Sequence, residues 1–124
     1  MHNTYKSTLI LGASTNAERY SNKAFYKLKA ASHTVFALGF RDGVLGDTTI
    51  HTEHQSELNN VDTFTLYLSP ARQETYYDYL LNLKPRRVIF NPGTENQKLE
   101  SLLQEAGIET EQACTLVLLA TNQY

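Results

Sequence analysis

Five short apolar or β-branched runs, near Ser7–Leu11, Thr34–Leu38, Thr63–Leu68, Arg87–Phe90 and Ile108–Thr110, recur along the chain. Each is bounded by polar or turn residues, and helical patterns lie between most of them. Strands that alternate with helices predict a parallel sheet, because a chain must cross back over the sheet before it can run again in the same direction. The expected fold class is therefore α/β: a three-layer sandwich with a mainly parallel five-stranded sheet and helices on both faces.

The helical patterns fit that layering. From about Asn22 to Ala31, Ala24, Phe25, Leu28 and Ala31 share one face, leaving Asn22, Lys23 and Lys27 nearer solvent. Ser69-Pro70 is a sharp helix start, since Ser can cap free amides and Pro loses little at a first position. That helix is expected to run on through Tyr76, Tyr77, Leu80 and Leu83. Another begins near Asn96, presents Leu99, Leu102, Leu103 and Ala106, and ends at Gly107. From Phe40 to His54 no period is sustained, and Gly43, Gly46 and two aspartates mark a turn-rich excursion with a short hairpin around Leu45-Gly46-Asp47. It reads as a lid or as a long loop.

The chain has 124 residues and a formal charge of −2. That length fits one domain, 1–124, able to form a three-layer core without disulfides. Scattered charge argues against a general nucleic-acid scaffold. Cys114 is the single cysteine, which excludes an intrachain disulfide and suits a reducing compartment. No apolar run approaches the roughly 20 residues that span a bilayer. The expectation is a soluble cytoplasmic protein with neither membrane nor nucleic acid as partner.

In a parallel α/β sheet, ligands collect beyond the carboxyl ends of the strands. Leu9-Ile10-Leu11 runs straight into the small-residue turn Gly12-Ala13-Ser14-Thr15-Asn16. Gly12 adopts backbone angles a larger residue resists, and Ala13 and Ser14 keep bulk away from the turn's amides. Ser21-Asn22-Lys23 then reads as a cap and first helical turn, whose unpaired amides and positive dipole end favour an anion. A phosphorylated ligand is the natural candidate, although such turns also carry a glycine for steric reasons alone. Four loops, Gly12–Asn16, Gly39–Arg41, Ser69–Arg72 and Asn91–Gly93, define a candidate pocket. Thr94 and Gln97 would form a capping box if Thr94 is the cap; the alternative is that Asn91-Pro92-Gly93 is a plain turn.

These residues carry a resemblance: Gly12-Ala13-Ser14 after the first strand, Ser21 at the helix entrance, Gly46 before the next short segment, Ser69-Pro70 after the third strand, Asn91-Pro92-Gly93 after the fourth, and Cys114 near the last helix. In this order and spacing, from about Ser7 onward, the chain resembles the small stand-alone CoA-binding proteins. Their Rossmann-like domain is similar to the CoA-binding domain of the succinyl-CoA synthetase alpha subunit. The resemblance implies a noncovalent site for the nucleotide part of CoA or an acyl-CoA. Gly12, Ala13, Ser14, Thr15 and Asn16 would wrap a phosphate region, and Ser21, Asn22 and Lys23 would supply helix-end amides and a cation. Gly39, Phe40 and Arg41 would approach the adenosine end, while Ser69, Pro70 and Arg72 border the adenine or pyrophosphate. Asn91, Pro92 and Gly93 complete the pocket. Each role has a structural competitor: Ser21 and Ser69 as caps alone, Lys23 and Arg72 as solvated charges, Phe40 as a seal on the sheet edge. The resemblance does not bring an enzyme with it, since the synthetase also uses a catalytic histidine and a nucleotide-handling domain outside this module.

Two other classes stay open. An NAD-dependent oxidoreductase module would use the same fold, but after Gly12 no glycine occurs until Gly39, and no acidic residue ends the second strand. A P-loop hydrolase is poorer still, for no Gly-Lys-Ser or Gly-Lys-Thr follows the first strand. A nonenzymatic interaction domain is the other, with Tyr76, Tyr77 and Tyr79 as a possible homodimer surface, because on one helix they cannot all face the core. His51 and His54 with Glu53 are the one close metal-type cluster, and without a third-ligand spacing no metal is expected. His33 belongs to the connection before the second strand, and His2 is a terminal residue. Cys114 stands at a helix entrance, open either to redox pairing with CoA or to simple packing. No Cys-His or Ser-His-Asp order names a nucleophile and base.

Overall fold

The computed structural model describes residues 5–55, 58 and 60–124, so His2 lies outside the described residues. Strands β1 (Thr8–Leu11), β2 (Val35–Leu38), β3 (Gly43–Leu45), β4 (Thr48–His51), β5 (Thr63–Leu66), β6 (Arg87–Phe90) and β7 (Glu109–Gln112) form one sheet in the order β3-β4-β2-β1-β5-β6-β7. Every residue of β1, β5 and β6 is buried, as strands covered on both faces must be. Alternation sends Leu9 and Leu11 into one core and Ile10 into the other.

The sheet is mixed and seven-stranded, which corrects the five-stranded expectation. The excursion read as a lid or loop supplies the two extra strands, and the hairpin expected around Leu45-Gly46-Asp47 forms, β3 turning into β4 through Gly46 and Asp47. β3 and β4 pair antiparallel, Val44 opposite Thr49, and β4 lies parallel against β2, with Ala37 opposite Ile50. Docking β4 covers the edge β2 would otherwise expose and buries Leu45 and Ile50 against Phe25 and Leu28. Strands of three and four residues are too short to show a period in the sequence.

Helices α1 (Tyr20–Ala30) and α5 (Thr115–Ala120) contact each other and pack on one face of the sheet. Helices α2 (Pro70–Gln73), α3 (Tyr77–Leu83) and α4 (Gln97–Glu105) follow the strands on the other side of the switch in strand order, and residues of α3 and α4 fill the core on the second face. The helix expected to run unbroken from Pro70 is interrupted by a 3-10 turn at Glu74–Tyr76. That break reorients the tyrosines. Tyr76 and Tyr79 are each only 6% exposed, and the Tyr79 hydroxyl donates to the Gln55 carbonyl at 3.0 Å. The Tyr77 hydroxyl accepts from Asn96 Nδ2 at 2.9 Å. Tyr76 and Tyr79 are thus engaged within the chain, while Tyr77 stays partly exposed. His54 packs against Tyr76 and Tyr79, with ring centroids 4.7 Å from each. No group of three or more His, Cys, Asp or Glu among the described residues is placed to hold a metal.

Two helix starts differ from the expectation. The N-cap of α1 is Arg19, so Ser21, Asn22 and Lys23 lie inside the helix rather than at its cap. Asn96 caps α4, accepting the Leu99 N–H at 3.2 Å, whereas the Thr94 hydroxyl donates to the Asn91 carbonyl at 2.7 Å; the Thr94–Gln97 capping box does not form. The end of α4 is as expected: the Ile108 and Gly107 amides donate to the Leu103 and Gln104 carbonyls at 2.9 and 3.0 Å. No helix among the described residues is long and apolar enough to cross a membrane.

Candidate functional site

β1 lies between β2 and β5, and the chain leaves their carboxyl ends toward opposite faces, into α1 after β1 and α2 after β5. Such a divergence opens a crevice at the top of the sheet. Here it is a cleft of about 740 Å³. Its width depends on two close backbone approaches. Gly12 has φ +101°, and a Cβ there would stand 3.0 Å from the Tyr67 backbone and 2.9 Å from Leu68 Cδ2. At Gly39 a Cβ would fall 2.4 Å from the Ala13 carbonyl oxygen, so Gly39 acts in packing and does not line the cleft.

The β1 loop lines one side through Gly12, Ala13, Ser14, Thr15 and Asn16. Its amides are less free than the sequence implied. The Gly12 and Ala13 N–H groups both donate to the Leu38 carbonyl at 2.8 Å, and the Asn16 amide donates to Ser14 Oγ at 3.0 Å. The Ser14 and Thr15 amides, and the first helical amides at Tyr20 and Ser21, have no hydrogen-bond partner among the described residues. Asn22 is buried beneath the turn, donating from Nδ2 to the Ser14 carbonyl at 3.0 Å. Lys23 does not itself line the cleft; its Nζ stands 5.5 Å from the ring centroid of Tyr20, which does. Arg19 and Tyr20 line the cleft instead. The late helix start read from the sequence hid both.

Across the mouth, Phe40, Arg41 and Asp42 follow β2. Phe40 is 53% exposed, and the Arg72 guanidinium stands 4.6 Å from its ring centroid, joining the β2 loop to α2. Ser69 lines the cleft as the N-cap residue of α2, yet its side chain makes no capping bond; Pro70 follows at the first helical position and is not part of the lining. Tyr67 and Leu68 form the floor between them. The Tyr67 hydroxyl is buried beside Thr65 and Thr115 without a well-formed hydrogen bond. Burial, only partly opposed by those two hydroxyls, pushes its pKa up to about 12, so the phenol stays neutral.

The fourth loop is divided in its roles. Pro92, Gly93 and Thr94 line the cleft, but Asn91 is buried and fully engaged in the fold. Its Nδ2 donates to Thr65 Oγ1 at 2.7 Å and the Leu66 carbonyl at 2.9 Å, and its Oδ1 accepts the Thr115 N–H at 2.8 Å. Gln73, which no sequence signal singled out, ties two loops together: Nε2 donates to the Leu68 and Thr94 carbonyls at 2.8 and 2.7 Å. Three arginines, Arg19, Arg41 and Arg72, border the cleft with one acid, Asp42. None of the three arginines belongs to an ion pair among the described residues. Cys114, half-buried and free, is the N-cap of α5 and lies outside the cleft lining.

A family model described as a CoA binding domain matches residues 6–120. No curated protein matches the sequence significantly. Among solved structures, an uncharacterized protein is 45% identical with a TM-score of 0.95, over 98% of this chain and 100% of that one. A Thermus thermophilus protein is 20% identical with a TM-score of 0.85, covering 97% and 91% of the two chains. A hypothetical protein from Pyrococcus horikoshii OT3 is 21% identical with a TM-score of 0.82, covering 91% and 80%. At such identities the last two likenesses concern the fold alone.

Proposed function

The chain belongs to the CoA-binding domain family, and from that premise we propose that residues 1–124 act as one unit that binds CoA or an acyl-CoA noncovalently in the cleft above β1, β2, β5 and β6. The observation that carries the reading is charge placement: three arginines free of acidic partners border a crevice whose floor and rim are Tyr67, Leu68, Phe40 and Pro92. A nucleotide with several phosphates needs both halves of that arrangement, cations for the phosphates and apolar walls for the base. Arg19 and the free amides of Ser14, Thr15, Tyr20 and Ser21 form the phosphate side, with Arg19 in the role the resemblance implied for Lys23. Phe40 and Arg72 form the base side, where an adenine ring can stack on the exposed Phe40 face. The reading assigns no catalytic step to this chain. Its role is to sense, carry or present CoA.

Calorimetric titration of CoA into ligand-stripped protein, with acetyl-CoA, NAD and ATP in parallel, tests this reading. Saturable CoA binding that Arg19→Ala weakens roughly tenfold, the scale of one lost charge-assisted hydrogen bond, is the expected result. Absence of both heat and thermal stabilisation with CoA would overturn it, and preferential NAD binding would point to the dinucleotide alternative.

A further inference from the structure

Below the sheet, at the amino-terminal ends of its strands, a second cluster of side chains surrounds His33. This residue lies between α1 and β2 and is 9% exposed. Its Nδ1 accepts the backbone N–H of Lys6 at 2.9 Å, and its ring centroid lies 4.9 Å from that of Tyr124 and 6.4 Å from that of Tyr5. Tyr124 is gripped from three more directions. The Arg87 guanidinium sits 4.6 Å from its ring centroid, its carbonyl accepts from Lys6 Nζ at 3.0 Å, and its hydroxyl shares a hydrogen bond with Thr8 Oγ1.

We propose that His33 is an acid-sensitive latch: while neutral it holds the segment after α5, through Tyr124, against the sheet, and its protonation releases that segment. An N–H donor can bond Nδ1 only through that nitrogen's lone pair, so the docked form needs neutral imidazole with its proton on Nε2. A second proton has to enter at Nδ1. It removes the acceptor and leaves the Lys6 N–H facing another N–H.

The surroundings give the new charge little compensation. Lys6 and Arg87 already carry positive charge toward His33, and buried Arg87 Nη2 has no hydrogen-bond partner. The nearby carboxylates are taken: Arg86 holds Asp62 through Nε and Nη2 at 2.8 and 3.0 Å, and Glu111 meets Arg87 Nη1 at 3.3 Å. Burial pushes the Tyr124 phenol further up, so it brings no negative charge to His33 in this range. Burial first, and the Lys6 charge next, hold the His33 pKa below its ordinary value of 6.5. Below about pH 6.5 the released form therefore binds more protons than the docked one, and docking weakens as pH falls toward the lowered value.

Hydrogen exchange of the segment after α5 reads the latch through its packing: the Thr121, Asn122 and Gln123 amides close the last turn of α5 on the Val117, Leu119 and Leu118 carbonyls, and that turn loses its cover when Tyr124 leaves the sheet. Corrected for intrinsic chemistry, their exchange is expected to rise several-fold between about pH 7 and pH 5. His33→Asn, which keeps an acceptor that does not titrate, should abolish the rise. No rise in the wild-type protein, or an equal rise in His33→Asn, would overturn the proposal. Should His33→Asn fail to fold, NMR titration of the unaltered protein decides: loss of the proton contacts between the Tyr124 ring and Thr8 and Arg87 at the His33 midpoint supports the latch, and their persistence through that midpoint overturns it.

Discussion

At the amino-terminal end of the sheet Arg86 lies 2.8 Å from Asp62, and Arg87 is 4% exposed with Glu111 3.3 Å away; at the carboxyl end Arg19, Arg41 and Arg72 border a cleft and pair with no acid among the described residues. One residue type thus serves two purposes. A guanidinium removed from water must find an acceptor or destabilise the fold, whereas one that stays solvated keeps its donors for an incoming anion. Pairing and position relative to the strand ends separate the structural arginines from the candidate ligand-binding ones.

The contrast is sharpest if stability and affinity can be broken separately. The largest loss of stability is expected from Asn91→Ala, which strands the Thr115 amide and the Leu66 carbonyl in the core. Urea denaturation should register a loss of about 3 kcal/mol, placing Asn91 with the structural residues despite its location at the cleft. Arg87→Ala should cost about 2 kcal/mol in the same assay while CoA affinity stays within about twofold. Arg72→Ala should do the reverse: under about 0.5 kcal/mol in stability and roughly tenfold in calorimetric Kd.

Acid unfolding adds a smaller test. Burial pushes the Asp62 carboxyl up, but its bonds from Arg86 and Thr63 and the Arg86 charge outweigh that and hold it below its ordinary value. A depressed carboxylate contributes stability above its unfolded pKa of about 3.9 and loses it as pH falls through the folded value. Arg86→Ala should therefore move the circular-dichroism acid transition to higher pH. Lys23→Ala, which removes an exposed ammonium held over the Tyr20 ring and not part of the lining, should change CoA affinity least, by less than about twofold. A large loss there would reinstate the helix-start reading and weaken the case for Arg19.

The central strands were legible because burial on both faces demands apolar or β-branched residues at consecutive positions, as in Leu9-Ile10-Leu11 and Val88-Ile89-Phe90. The edge hairpin was legible only as a turn around Leu45-Gly46-Asp47 and not as part of the sheet, since Val44 and Thr49 stay exposed and only Leu45 and Ile50 are buried. Much of the cleft was readable through the rule that loops converge at strand ends: Gly12 to Asn16, Phe40, Arg41, Ser69, Arg72, Pro92 and Gly93 all line it. Lys23 was read at the helix start, but the helix begins at Tyr20, and Lys23 falls inside the first turn, over the Tyr20 ring and off the lining itself. Asn91 was placed in the right loop but in the wrong role, for nothing local reveals that its amide is spent on Thr65, Leu66 and Thr115.

What the sequence by itself determined is the alternation of strand and helix and the loops that must meet above the sheet. Both follow from short-range burial pattern and turn chemistry, which each segment carries within a few residues. Which polar groups within those loops stay free was decided only by tertiary structure. A donor or acceptor is available to a ligand when no other part of the fold claims it, and the claimants here, Leu38 on the Gly12 and Ala13 amides and Gln73 on Leu68 and Thr94, come from elements brought together by packing.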